Sequence, residues 1–190
     1  MAENAVERFK TKYESLAGVV HQARSCSEAI DLMMGVVRDA AANRVALGPL
    51  ADPVAKEAVR ACGEAGVQVV APPYRRDALP AAIDAAQVGI TASKFAIVET
   101  GTLVELCTDD SHRLASTLPG THIGLVLEED LVEGLSDAAS LIRDFYESNP
   151  RHATATFISG PSRTADIEMR LTLGVHGPAS AHVVICSGWS

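Results

Sequence analysis

From Arg44 to Ser93 the chain alternates short apolar runs with amphipathic stretches, joined by links of only a few residues. RVALGP (44–49) reads as a strand ending in a turn, VQVVAPP (67–73) as a second strand and VGITAS (88–93) as a third. Between them, Asp52-Pro53 opens a helix, with Asp as N-cap and Pro at the first helical position. That helix runs to about Ala65, and Gly66 takes the C′ position. Pro80–Ala86 is a shorter helix. Strand, helix, strand, helix, strand with short links predicts parallel strands covered by helices. The fold class is α/β, in one domain; 190 residues are enough for a full core.

The flanks extend this pattern. The first 24 residues are predicted helical, with Val6, Phe9, Tyr13, Leu16 and Val20 three or four apart. Ser25 to Glu28 fits a capping box, followed by Ile30, Met33, Met34, Val37 and Ala41 at helical spacing. FAIVETGTLVELCT (95–108) is two apolar stretches broken at Glu99-Thr100-Gly101-Thr102, an antiparallel pair or a bulged strand around Gly101. THIGLVLEE is another strand. Ser136 caps a helix to about Glu147, with Ala138, Leu141, Ile142 and Phe145 facing inward. TATFISG and AHVVIC are the last two strands.

Apolar residues make up 47% of the chain and aromatics only 4%, so the core is expected to be aliphatic. A net charge of −8 argues against a nucleic-acid partner, which needs a basic field. The one adjacent basic pair, Arg75-Arg76, reads as a solvated loop. No apolar run approaches membrane-spanning length, so no membrane span is expected. The charged start, MAENAVERFKTKYES, lacks the apolar region of a signal peptide, and the expected location is cytoplasmic. Cys26, Cys62, Cys107 and Cys186 form no CxxC, and no zinc or iron–sulfur motif is expected within the chain.

Three segments carry candidate chemistry. In FISGPSRTADIE (157–168) an apolar run meets Ser159-Gly160-Pro161-Ser162 and turns into a charged stretch. If a helix starts there, capped by Ser162 or Thr164, its free N–H groups, the hydroxyls and Arg163 make an anion site. Asp166 and Glu168 would then sit in the first turn, where the helix dipole favours negative charge. The alternation of Ile167, Met169, Leu171 and Leu173 also fits a strand. In VETGTLVE, Glu99 beside a glycine bend, held by Thr100 and Thr102, is a candidate base or nucleophile; an ordinary polar turn is the competing reading. LPGTHIG and GVHGP place His122 and His176 beside glycine and proline, either facing a shared pocket or purely structural. CTDDSH (107–112) offers cysteine, aspartate and histidine, but its spacing is a weak metal signal and reads as the cap of a short helix. G-x-S-x-G, P-loop and G-x-G-x-x-G motifs are absent.

VGITASKFAIVETGTLVEL, LPGTHIGLV and ISGPSRTADIEMRLTLGVHGPASAHVVI, in that order, resemble the LUD domain, most closely its lactate utilization protein C (LutC/YkgG-like) group. The likeness runs from about Gly48 to the C-terminus. It implies a Rossmann-like layered fold similar to the NagB/RpiA/CoA-transferase superfamily. The implied division is residues 1–45 as an N-terminal helical segment packed on the domain, and 46–190 as the LUD domain. Lys94 stands where many relatives carry an acidic residue, which alters the charge ahead of ETGT.

The resemblance also implies a role. LutC-like proteins are similar to one part of a three-protein system oxidising L-lactate to pyruvate. The implied partners are LutA-like and LutB-like iron–sulfur proteins. Iron–sulfur clusters are expected in those partners and no cofactor in this chain. The expected ligand is a small carboxylate, held by Thr100, Gly101, Thr102, Ser159, Gly160, Ser162, Arg163, Thr164, Asp166, Glu168, His122 and His176 at the strand ends, where open α/β sheets bind ligands. Arg163 is the expected clamp, facing Glu99. Two other roles stay open. One is a stand-alone carboxylate or acyl-CoA transferase-like enzyme, with Glu99 as catalytic nucleophile by fold-level analogy. The other is a ligand-sensing regulatory protein.

Overall fold

The computed structural model describes residues 4–165, 171–174 and 176–189. In chain order the elements are α1 (Ala5–Ser15), β1 (Val19–Ala23), α2 (Cys26–Asp39), β2 (Arg44–Leu47), α3 (Asp52–Glu64), β3 (Gln68–Val70), α4 (Ala81–Asp84), β4 (Val88–Ala92), β5 (Phe95–Ile97), β6 (Thr102–Cys107), α5 (Asp110–Thr117), β7 (Thr121–Leu127), β8 (Leu131–Val132), α6 (Leu135–Ser148), β9 (Thr154–Ile158), β10 (Arg163–Ala165), β11 (Leu171–Leu173) and β12 (Ser180–Cys186).

Six strands form a parallel sheet in the order β1-β12-β7-β4-β2-β3. Both faces of its central strands are covered, so they read as continuous aliphatic runs. Val45, Val88, Ile90, Ile123, Leu125 and Val184 pack under α2 and α3. The other face, with Val126, Ala181, Val183 and Ile185, packs on Phe9 and Tyr13 of α1 and on a second sheet through Ala96 and Leu103. That smaller sheet runs β8-β5-β6-β9 and is mixed, with β6 antiparallel to both neighbours. Its far face, Phe95, Ile97 and Val104, is closed by Ala138 of α6. The α/β class and the parallel sheet flanked by helices therefore hold.

Several local expectations change. The first helix ends at Ser15, and Val19–Ala23 is a strand on the sheet edge. Ala17 turns at φ 68°, and Gly18 lies where a side chain would meet the Tyr13 ring, so the chain reverses before residue 20. Val20 is buried from β1, not from α1. Residues 1–45 thus supply a strand of the main sheet as well as α1 and α2. Ala51 takes the N-cap position of α3 and Asp52 the first helical one. At α6 the cap is Gly134, whose N–H donates to Asp137, two residues before the expected Ser136.

The ETGT break is the antiparallel option, β5 against β6. The stretch after Ser162 takes the strand period: β10 pairs antiparallel with β11, Arg163 opposite Leu173 and Ala165 opposite Leu171. Ser162 N–H donates to the Pro178 carbonyl and Gly174 N–H to the Ser162 carbonyl. The backbone donors of this turn are therefore partly consumed by the returning chain rather than left free at a helix start. Asp166 and Glu168 lie outside the described residues.

Candidate functional site

Alternation along β6 points Leu103, Glu105 and Cys107 toward the main sheet. Two glycines let the layers close. A Cβ on Gly124 would sit 2.3 Å from Leu103 Cδ1, and one on Gly89 would sit 1.8 Å from the Ala115 carbonyl oxygen. The second sheet and α5 are thereby pressed onto β7 and β4. Glu105 ends fully buried between the sheets, beside Thr91 of β4, His122 of β7, and His112 and Ser116 of α5, all themselves buried.

Thr91 Oγ1 donates to Glu105 Oε1 at 2.5 Å, and Ser116 Oγ donates to Oε2 at 2.8 Å. Burial pushes the Glu105 carboxyl up to about 7, against the lowering effect of these two hydroxyls. Burial pushes His122 down to about 3, with His112 and His182 adding to the shift, so His122 is neutral at pH 7. Thr91 Oγ1 also lies 2.8 Å from His122 Nε2. Thr91 has one proton, and it goes to Glu105. Nε2 is then the donor of that pair, and His122 Nδ1 is left as a buried lone pair without a partner.

His122 and Ser116 line a cleft of about 450 Å³ over the amino ends of β7 and β12, walled by β9 and the 159–162 turn. Ser159, Gly160, Ser162 and His176 also line it. The fold thus brings five of the sequence-predicted residues to one cleft. It lies at the amino ends of the parallel strands, not in the carboxyl-end crevice usual for open α/β sheets. Ser162 Oγ donates to the His176 carbonyl at 2.8 Å. Arg163 is exposed and opens β10 directly after Ser162. Thr164 follows it in the same strand.

Thr100 and Thr102 of ETGT stand beside this cleft. A hydroxyl chain runs from Thr100 Oγ1 to Thr102 Oγ1 to Ser159 Oγ, each step 2.8 Å. Gly101 and Gly160 both have left-handed φ, 60° and 89°, and both back onto α1: a Cβ would sit 2.8 Å from Tyr13 N and 2.7 Å from the Leu16 carbonyl oxygen. Glu99 lies apart from the cleft. It lines a separate 340 Å³ pocket with Arg8, Lys12 and Ser15, its carboxylate over Gly134. Arg8 is itself paired with Glu133.

The family model of the LUD domain matches residues 6–186. The chain belongs to the LUD domain family. Lactate utilization protein C of Anoxybacillus flavithermus is 38% identical over 112 residues, 58% of this chain and 48% of that protein. Lactate utilization protein C of Bacillus subtilis is 38% identical over 103 residues, 54% of this chain and 43% of that one. This LUD chain spans about half the length of the curated relatives it matches. A crystal structure of a DUF162 family protein from Deinococcus radiodurans shares the fold, with a TM-score of 0.66 at 20% identity over 96% of both chains. Among the described residues, no helix is long and apolar enough to cross a membrane.

Sequence reasoning missed Glu105, Thr91 and Ser116 in this LUD domain. A signal existed. In TLVELC the glutamate shares strand parity with Leu103 and Cys107, so it sits on an apolar face, where a carboxylate needs partners. The partners come from β4 and α5, which no local pattern connects to β6.

Proposed function

We propose that this chain is a LutC-like subunit of a cytoplasmic system oxidising L-lactate to pyruvate, binding the small carboxylate without carrying the electrons itself. The observation that carries the reading is 34–38% identity to proteins named lactate utilization protein C. Oxidising lactate removes the hydroxyl proton and the C2 hydrogen with its bonding pair, two protons and two electrons in all. A ligand-binding subunit needs an acceptor for the hydroxyl and a counter-charge for the carboxylate. His122, which lines the cleft and whose buried Nδ1 has no hydrogen-bond partner, is the acceptor. Arg163, next to the cleft-lining Ser162, is the clamp. The electrons pass to LutA-like and LutB-like iron–sulfur partners.

Calorimetry of the purified chain tests the ligand role. L-lactate is expected to bind at millimolar concentration, propionate more weakly because it lacks the hydroxyl, and Arg163→Ala to lose about tenfold or more. No binding of L-lactate or pyruvate at millimolar concentration would remove the ligand role. Co-purification of iron–sulfur proteins from lactate-grown cells, with lactate-dependent dye reduction, tests the subunit role separately.

A further inference from the structure

CTDDSH reads locally as the start of a helix, and Asp109 does cap α5, accepting from Ser111 N–H at 2.8 Å. The fold adds what the segment lacks. Glu105 lies two residues before Cys107 on the same face of β6, and the first turn of α5 carries His112 back over both. The donor atoms of Glu105, Cys107 and His112 all lie within 4.8 Å of one another, and all three residues are buried. Glu105 Oε1 and His112 Nε2 are 3.7 Å apart. Neighbouring ligands on a tetrahedral ion with bonds of about 2.0–2.3 Å are separated by roughly 3.3–3.8 Å. One pair already has that spacing, and the Cys107 sulfur lies within 4.8 Å of both donors.

His112 is prepared for such a role. Its side chain is only 10% exposed, and Nε2 has no hydrogen-bond partner. The Ala92 backbone accepts a hydrogen bond from the ring. A neutral imidazole has one N–H. Spent on Ala92, it leaves Nε2 as a lone pair facing Glu105. A histidine anchored through its other nitrogen to a backbone carbonyl is how metal-binding imidazoles are oriented. Thr91 and Ser116 hold the Glu105 carboxylate from behind, and each oxygen keeps a second lone pair.

We propose that Glu105, Cys107 and His112 form a buried site for a zinc-class divalent cation, linking β6 to α5. The inference is independent of what the cleft binds. One thiolate, one imidazole and one carboxylate suit zinc rather than magnesium or calcium, which prefer all-oxygen shells. On binding, the Cys107 thiol releases its proton to solvent and the sulfur lone pair forms the metal bond; no oxidation state changes. Three protein ligands leave a fourth position for water. The connecting residues Thr108 to Ser111 line a 620 Å³ cavity with Tyr74 and Arg76.

The test uses the whole chain, stripped with chelator and titrated with zinc or cobalt(II), with bound metal counted by mass spectrometry after desalting. One equivalent is expected, with tetrahedral cobalt bands, a thiolate-to-cobalt charge-transfer band and a higher Tm with zinc. Cys107→Ser should abolish the charge-transfer band, and His112→Gln should weaken zinc by about tenfold or more. Cys26→Ser, outside the cluster, should change neither. Substoichiometric binding with no Tm shift overturns the site, as does a charge-transfer band surviving in Cys107→Ser. Should the variants not fold, thiol labelling of wild-type protein decides: zinc must protect Cys107, and unchanged labelling refutes the proposal.

Discussion

His182 on β12 stacks on His21 of β1, ring centroids 5.4 Å apart, with their nitrogens meeting at 3.1 Å. Its other nitrogen lies 2.9 Å from Ser180 Oγ. Burial first, then the nearby His21, push His182 down to about 4, with Asp39 opposing. The folded state refuses a proton that the unfolded chain takes near 6.5. The stability involved is complete above about pH 6.5 and is lost as pH falls toward 4. His122 acts in the same direction, down to about 3. Glu105 acts oppositely: raised to about 7, its contribution is present below about pH 4.5 and lost as pH rises through 7. His182→Asn should therefore flatten the acid limb. Between pH 7 and 4 the variant should lose about 1–2 kcal/mol less than wild type, a figure already reduced for solvent screening of a half-buried ring. Urea unfolding at several pH values measures this, and an unchanged pH slope would refute it.

At the scale of elements, glycines mark where layers touch. Gly89 on β4 faces the α5 backbone, and a methyl group there would strike the Ala115 carbonyl oxygen. Backbone cannot rotate aside as a side chain can, so Gly89→Ala should push α5 off the sheet and cost about 1–3 kcal/mol. Gly63 in α3 is the contrast. Nothing lies within 4 Å of a Cβ there. Gly63→Ala should raise stability by about 0.5–1 kcal/mol through helix propensity and a stiffer unfolded chain. Paired denaturant melts compare the two. Equal effects would mean that the close approach of α5 does not govern packing.

For the molecule as a whole, α1 is the part that ties the layers together. Phe9 and Tyr13 are fully buried, stacked at 5.6 Å, and share one apolar cluster with the main sheet and with β5 and β6. The ETGT and SGPS turns close on the same helix through Gly101 and Gly160. Removing the Phe9 ring leaves a cavity where both sheets meet. Phe9→Ala should cost about 3–5 kcal/mol in a single cooperative transition. Biphasic unfolding, with the main sheet melting separately, would show that α1 is an appendage.

The strands and helices from Arg44 to Ser93 were legible because apolar period and turn residues are local, and short links leave a parallel sheet as the way to pair them. The family was legible too, since ETGT, LPGTHIG and SGPSR keep their order along the chain. His122, Ser159, Ser162 and His176 were legible as separate turns. That they share one cleft depended on β7, β9 and β12 meeting in space. The end of α1 was misread because Val20 continues the helical spacing from a strand, and burial does not record which element delivers a side chain. The run after Ser162 held two periods at once, and pairing with β11 selected the strand. Glu105, with partners at residues 91, 112, 116 and 122, could only be decided by the tertiary structure. A buried carboxylate is satisfied by whichever groups the layers press against it, and that contact lies in the packing of the second sheet and α5 onto the main sheet through Gly124 and Gly89, not in any stretch of chain.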